Sequence, residues 1–389
     1  MVEEKMIPLS VPNLKGNELL YVKQAVESEW VSTAGPYVSQ FEKDIAEYVN
    51  VPSAVACQSG TAGLHIALQI CGVSRDDLVI VPTLTFIAAV NPVRYLGADP
   101  IFMDCDDSLC MDPEKLAEFC RDKCTINGTQ LIHTETGRRI AAVVVVHVFG
   151  NMADMEAILR IARQYNLKVI EDATEAIGTK YETGPYSGMF AGTMGDIGVY
   201  SFNGNKIMTT GGGGMLVSRN ADYLKEAKHL TTQAKADEAN FIHDEIGYNY
   251  RLTNLQAALG IAQLEQLESF IETKRKNYRL YCQTLPGNVG LSILPFRNGI
   301  RSNCWFYSLL CKDLSTWKPT EIIQKLKENH IQTRPIWGLI HEQAPYLGSI
   351  CYRIEKAKYY WQRVVNLPCS TNLNSEDVER VVRTILREQ

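Results

Sequence analysis

The chain has 389 residues, of which 46% are hydrophobic and 21% charged, and its net charge is −5. These values describe a globular chain long enough for two subdomains. The acidic balance argues against non-specific nucleic-acid binding, which rests on many Lys and Arg contacts to phosphates.

No apolar stretch approaches the roughly eighteen residues of a membrane span. The start, Met1-Val2-Glu3-Glu4-Lys5-Met6, is acidic and lacks an apolar signal core. Eleven cysteines, an odd number, read as reduced thiols of a cytoplasmic protein.

In chain order, Trp30-Val31-Ser32-Thr33-Ala34-Gly35-Pro36 reads locally as a turn. Residues 53–57 have strand character, and Gln58-Ser59-Gly60-Thr61-Ala62-Gly63 opens a helix. Small residues at a helix start expose N–H groups at the positive end of the dipole, where an anion binds. An ordinary N-cap is the alternative. Residues 78–81, 100–104 and 140–146 are continuous apolar runs, as expected for strands buried on both faces. Cys120 and Cys124 stand four apart on a predicted helix, with His133 beyond. No Cys-x-x-Cys pair exists and the seven histidines are scattered, so no metal site is expected. Residues 125–139 interrupt the pattern with Asn127-Gly128 and Thr136-Gly137 turns, which predict a hairpin insertion. His147 ends the valine run; it either faces a cofactor or is a packed, hydrogen-bonded core histidine. Residues 153–165 have helical spacing, completing a βαβ pattern and predicting a mostly parallel sheet.

Residues 166–178 form a short apolar strand ending in carboxylates, and ligands in open α/β sheets gather at such strand ends. Asp172 either caps a following helix or serves a ligand. Pyridoxal phosphate requires a carboxylate at its ring nitrogen, because the protonated pyridinium is the electron sink. A charge-assisted hydrogen bond of about 1.5–3 kcal/mol shifts that nitrogen by roughly one to two pKa units. Glu175 would then lie near the ring hydroxyl or the reacting carbons. Residues 183–195, rich in Gly and Tyr, predict a mobile loop near the site. Gly198-Val199-Tyr200-Ser201-Phe202-Asn203-Gly204-Asn205-Lys206 places Lys206 just beyond a strand, and Gly211 to Gly214 permit close backbone approaches. A lysine without an acidic neighbour in sequence loses its proton in a dry pocket and can form a Schiff base with a carbonyl. By itself the segment also fits a loop lysine pointing at solvent.

Beyond Tyr250 the pattern changes. Residues 254–277 predict a long helix with apolar Leu255, Ala258, Leu259, Ala262, Leu264 and Leu267. An apolar run at 305–310, a helix at 320–329 and Ile331-Gln332-Thr333-Arg334-Pro335 follow. The division expected is a large domain over 1–253 and a linking helix with a smaller α/β domain over 254–389. Arg334 and Trp337 suit a nucleotide or a donor carboxylate, Arg through its planar fork; a surface ion pair is the alternative for Arg334.

The order phosphate cup, Asp172, Lys206 resembles the DegT-type family of fold-type-I, pyridoxal-phosphate-dependent nucleotide-sugar aminotransferases. The resemblance runs over nearly the whole chain and is most specific at Ser59-Gly60-Thr61-Ala62, Pro82-Thr83-Leu84-Thr85-Phe86, Glu171-Asp172-Ala173, Ser201-Phe202-Asn203-Gly204-Asn205-Lys206 and Gly247-Tyr248-Asn249-Tyr250-Arg251-Leu252. It implies a Schiff base at Lys206, Asp172 at the ring nitrogen, Gly60, Thr61 and Ser201 at the phosphate, and Phe86 stacked on the ring. It also implies a homodimer, with Asn249 and Arg251 completing the partner's site, and a substrate-contacting loop at Trp30 and Ser32. Many members carry Gln where this chain has Glu175. Pro8-Leu9-Ser10-Val11-Pro12-Asn13-Leu14, the four-glycine run and Thr333-Arg334-Pro335 are most similar to the branch serving legionaminic-acid and bacillosamine pathways. That branch aminates C4 of a UDP-2-acetamido-2,6-dideoxy-4-keto-hexose with L-glutamate as donor; dTDP- or GDP-linked sugars are the alternative.

Rival classes make different demands. Related sugar 3-dehydratases replace the Schiff-base lysine by histidine, whereas Lys206 is present. A nicotinamide enzyme needs Gly-x-Gly-x-x-Gly after its first strand, and the glycines here follow the lysine instead. A cofactor-binding regulator without catalysis remains open from sequence.

Overall fold

The computed structural model describes residues 5–287 and 289–386. The first four residues of the acidic N-terminus, in which no signal core was read, lie outside the described residues.

The main sheet runs in the order Ser53–Cys57, Gly214–Ser218, Ile197–Ser201, Lys168–Asp172, Arg139–Val146, Leu78–Pro82, Asp99–Met103 and Ile350–Tyr352. Gly214–Ser218 is antiparallel to both neighbours, and every other pairing along this path is parallel. Helices Gly60–Ile70 and Met155–Tyr165 belong to the strand–helix alternation. Their packing explains the near-continuous apolar runs: Leu78–Pro82, Ile197–Ser201 and Gly214–Ser218 are buried throughout. The insertion is a hairpin of Cys124–Asn127 and Gln130–His133, with Gly128 at φ +61° in its turn.

The long helix spans Asn254–Thr284, further than its apolar spacing indicated, and opens with a capping box between Thr253 and Gln256. Beyond it, Leu291–Ile293, Tyr307–Cys311, Val364–Leu367 and Arg334–Pro335 form an antiparallel sheet. Pro319–Glu328 and Ser375–Leu386 pack beside it. Lys274, buried on the long helix, donates to the carbonyls of Trp305 (3.0 Å) and Cys369, so one ammonium ties two loops of this region to the helix.

The C-terminal region is also stitched into the main sheet. Ile350–Tyr352 pairs with Asp99–Met103, and the Asp104 carboxylate just beyond receives Lys115 Nζ (2.6 Å) and the amides of Glu355, Lys356 and Ala357. Asp104 therefore acts as an anchor rather than a strand residue. Residues 183–195 differ from expectation. They do not reach the cavity described below. Their amides at Gly192, Met194 and Gly195 instead wrap the buried Glu171 carboxylate. No helix among the described residues is long and apolar enough to cross a membrane.

Candidate active site

A cavity of about 780 Å³ opens at the carboxyl ends of the parallel strands, between the main sheet and the C-terminal region. That is the size range of sites for small organic ligands. Gly60, Thr61, Phe86, Asp172, Glu175, Ser201 and Lys206 line it, together with Arg334 and Trp337 from the C-terminal region.

The anion cup follows from local backbone chemistry. Ser59 caps the helix, its Oγ accepting from Ala62 N at 3.1 Å. Gly60 and Thr61 are the first helical residues, so their amides have no intrahelical acceptor and stand at the positive helix end. A Cβ at Gly60 would lie 2.8 Å from Thr174 Cγ2 and 3.0 Å from Ser201 Cβ. The cup is thus closed on one side by the end of strand Ile197–Ser201. A Cβ at Gly214 would lie 2.7 Å from Ser59 C and 2.9 Å from Gly60 N. This backbone-to-backbone approach is the physical need behind the end of the four-glycine run.

Asp172 ends its strand, where its carbonyl accepts from His147 N (3.1 Å) and its Oδ1 accepts from Thr174 N (3.1 Å). The next helix in the chain begins at Ala221, so the reading of Asp172 as a helix cap falls. Burial pushes its carboxyl above the ordinary value, partly countered by Thr174 and by the Lys206 cation. Glu175 Oε2 accepts from Phe149 N at 2.8 Å, while Oε1 stands 3.7 Å from Lys206 Nζ. Burial pushes the Glu175 carboxyl up to about 7, despite the opposing Lys206 charge. The same burial lowers Lys206, against the pull of Glu175 and Asp172. Lys206 therefore does not point at bulk solvent; its side chain is 13% exposed, at the cavity.

Two features of this cavity were not legible in sequence. The Trp305 ring lies over Lys206 Nζ at 4.1 Å from its centroid, and its Nε1 donates to Asn205 O at 2.9 Å. A tryptophan in an apolar run carries no local signal for such a place. Phe149 adopts φ 56°, ψ 24°, which aims its N–H at Glu175.

The remaining candidates lie away from this chain's own cavity. His147 is fully buried, with Nε2 2.8 Å from Glu171 Oε2 and Nδ1 accepting from Ala153 N, so it is the packed core histidine. Trp30 and Ser32 do not line the cavity; their carbonyls receive Asn254 Nδ2 and Asn254 N. Asn249 and Arg251, expected to complete a partner's site, do not line this chain's own cavity. His229, Asp244 and Glu245 converge within 4.8 Å at the surface, a carboxylate–imidazole cluster the sequence did not suggest.

The donor set fits pyridoxal phosphate: an anion cup, a buried carboxylate and a desolvated amine facing one cavity. Residues 12–386 match the DegT/DnrJ/EryC1/StrS aminotransferase family. The chain is similar to EpsN of Bacillus subtilis (strain 168), provisionally named a pyridoxal phosphate-dependent aminotransferase, at 37% identity over 98% of this chain and 95% of that protein. It is 35% identical to the GDP-perosamine synthase of Escherichia coli O157:H7, over 98% of each chain. Among solved structures, the aminotransferase TlmJ from Streptoalloteichus hindustanus superposes with a TM-score of 0.87 at 27% identity, over 98% of each chain. The chain belongs to the DegT/DnrJ/EryC1/StrS aminotransferase family, and it is a pyridoxal-phosphate-dependent sugar aminotransferase.

Proposed function

We propose that this enzyme moves the amino group of L-glutamate to C4 of a UDP-linked 2-acetamido-2,6-dideoxy-4-keto-hexose. The observation that carries the reading is the convergence of Lys206, Asp172 and the Gly60–Thr61 helix start on one cavity. Bound pyridoxal phosphate supplies an electron sink and an exchangeable carbonyl. Gly60, Thr61 and Ser201 hold the phosphate, Phe86 covers a ring face, and Asp172 keeps the ring nitrogen protonated. Lys206 would be the amine that holds the cofactor's carbonyl and the base and acid that carries a proton at Nζ. Arg334 and Trp337, which line the cavity from the C-terminal region, meet the diphosphate or the donor carboxylate.

For the nucleotide, the similarity of the N-terminal, glycine-run and Thr333-Arg334-Pro335 stretches to the UDP-sugar branch supports UDP. A Campylobacter jejuni relative at 28% identity is named a UDP-4-amino-4,6-dideoxy-N-acetyl-beta-L-altrosamine transaminase. The Escherichia coli GDP-perosamine synthase favours a second reading, a GDP-linked 4-keto-6-deoxy sugar. Ranking UDP-, GDP- and dTDP-linked 4-keto-6-deoxy sugars by kcat/KM, with glutamate as donor, decides between them. We expect UDP to lead by at least tenfold, about 1.4 kcal/mol. A hundredfold lead for another nucleotide overturns the UDP assignment and leaves the aminotransferase intact.

We also propose a homodimer with shared sites. Arg251 Nε is buried without a hydrogen-bond partner among the described residues, Asn249 is exposed, and Phe241 and Ile246 nearby in sequence are 74% and 84% exposed. Exposed large apolar side chains of this kind mark interaction surfaces. Light scattering at low micromolar concentration should give twice the chain mass; a fully active monomer overturns the proposal.

A further inference from the structure

Glu175 is held more tightly than a residue of its apparent importance requires. Its Oε2 takes the Phe149 amide at 2.8 Å, and that amide is aimed by left-handed backbone at a non-glycine residue. Such a conformation costs of order 1–3 kcal/mol and persists only where its surroundings enforce it. The enforcing contacts are aromatic: the Phe149 ring packs 4.5 Å from Trp337 and 5.5 Å from Phe306, centroid to centroid. With Oε2 occupied, Oε1 is directed at Lys206 Nζ, 3.7 Å away. This is ion-pair range rather than hydrogen-bond range, and closing it needs a shift of about 0.5–1 Å to the proton-transfer distance.

The charged and titratable groups facing this pair are few. Asp172 approaches from the end of its strand, and Arg334 is the other charged residue lining the cavity. His147 lies behind the strand ends, with its Nε2 engaged by Glu171. Trp305 covers Lys206 Nζ with its ring face, which offers no proton acceptor. Glu175 and Asp172 are therefore the carboxylates within electrostatic reach of Lys206, and Glu175 is the one paired with its Nζ.

We propose, on the reading that Lys206 is the amine carrying the cofactor, that Glu175 is the proton partner of Lys206. Its carboxyl supplies the proton that Nζ takes up on release and takes that proton back when Nζ must act as a nucleophile. The exchange balances by itself: the Oε1–H bond breaks as an Nζ–H bond forms, turning carboxylic acid and neutral amine into carboxylate and ammonium. Nothing is oxidised and no co-reactant is needed. Burial raises the Glu175 carboxyl to about 7 and lowers Lys206, which narrows the energy gap between the two forms of the pair. A glutamine at this position, as many family members carry, keeps an acceptor for Phe149 N but cannot hold the proton.

The test is a spectrophotometric pH titration of the bound cofactor in wild-type, Glu175→Gln and Glu175→Asp holoenzyme. Borohydride reduction and peptide mapping accompany it. Removing the carboxylate removes the anion beside the protonated nitrogen, so the Glu175→Gln midpoint should fall by at least about one pH unit, tenfold in proton affinity. Glu175→Asp should fall in between, because its carboxylate is retained but withdrawn by one carbon. Should the glutamine variant not fold, the aspartate variant decides alone. A midpoint in the folded variant that coincides with wild type overturns the proposal. If mapping finds the reduced cofactor on another residue, the Lys206 reading itself fails. If it finds Lys206 and the midpoints coincide, only the role of Glu175 falls.

Discussion

Lys206→Ala should lower turnover by more than about 10⁴-fold, at the upper end of what one acid–base residue supplies. On the proposed function, the substitution removes two roles at once, the covalent amine and the mobile proton carrier. No other described side chain lining the cavity replaces either one: its remaining cation is Arg334, a guanidinium on the C-terminal strand Arg334–Pro335. The variant should still bind pyridoxal phosphate. The Gly60–Thr61 helix start, Ser201 and Asp172 are positioned by backbone and strand pairing that do not involve the lysine side chain. Cofactor retained without turnover is thus the expected pair of results. Steady-state assay with glutamate, together with the absorbance of the bound cofactor, reads both. A variant within tenfold of wild type would remove Lys206 from the chemistry.

The second large effect concerns a residue that never touches the cavity. Glu171 is fully buried one position before Asp172, and its two oxygens collect His147 Nε2 (2.8 Å) and the amides of Gly192 (2.8 Å), Met194 (2.7 Å) and Gly195 (2.5 Å). Glu171→Ala leaves these donors without an acceptor, and each buried donor left unpaired in this way costs about 1–3 kcal/mol. Urea denaturation should show a loss of that order; a loss below about 1 kcal/mol would mean that water or a neighbour takes over the donors. Activity should fall as well, because the same strand end aims Asp172. Burial opposes the Glu171 charge, but His147 and the surrounding amides outweigh it and hold the carboxyl below its ordinary range. Its contribution is therefore present above the unfolded carboxyl value of about 4.3 and is lost as pH falls through the lower folded value. The wild type should show this acid-dependent loss, and Glu171→Ala should not.

Much of the architecture was written locally. The valine run of 140–146, the 78–81 strand and the Ser59–Gly60–Thr61 helix start each sit within a residue or two of their expected places, because buried parallel strands and helix caps impose their own residue types. The carboxylate-ended strand and the glycine-backed lysine were legible for the same reason. Both depend on contiguous residues and on the rule that ligands gather at strand ends.

What the chain order could not determine are contacts between segments far apart in sequence. The place of Trp305 over Lys206 depends on the antiparallel C-terminal sheet and on Lys274 holding the Trp305 carbonyl. The placement of Glu175 depends on the Phe149 amide, whose left-handed backbone is held by Trp337 and Phe306. Two readings of His147 stood level until Glu171 was found within 2.8 Å, a partner 24 positions away. The 183–195 segment looked like a free loop because its glycines carry no apolar signal, yet its amides find their acceptor on a strand the local pattern does not mention. Sequence by itself determined the chemistry available to this protein: an anion cup, a carboxylate and a lysine in family order. Tertiary structure decided which of those groups are dry, which stand close to one another and which face away, since burial and electrostatic pairing are properties of distance in space.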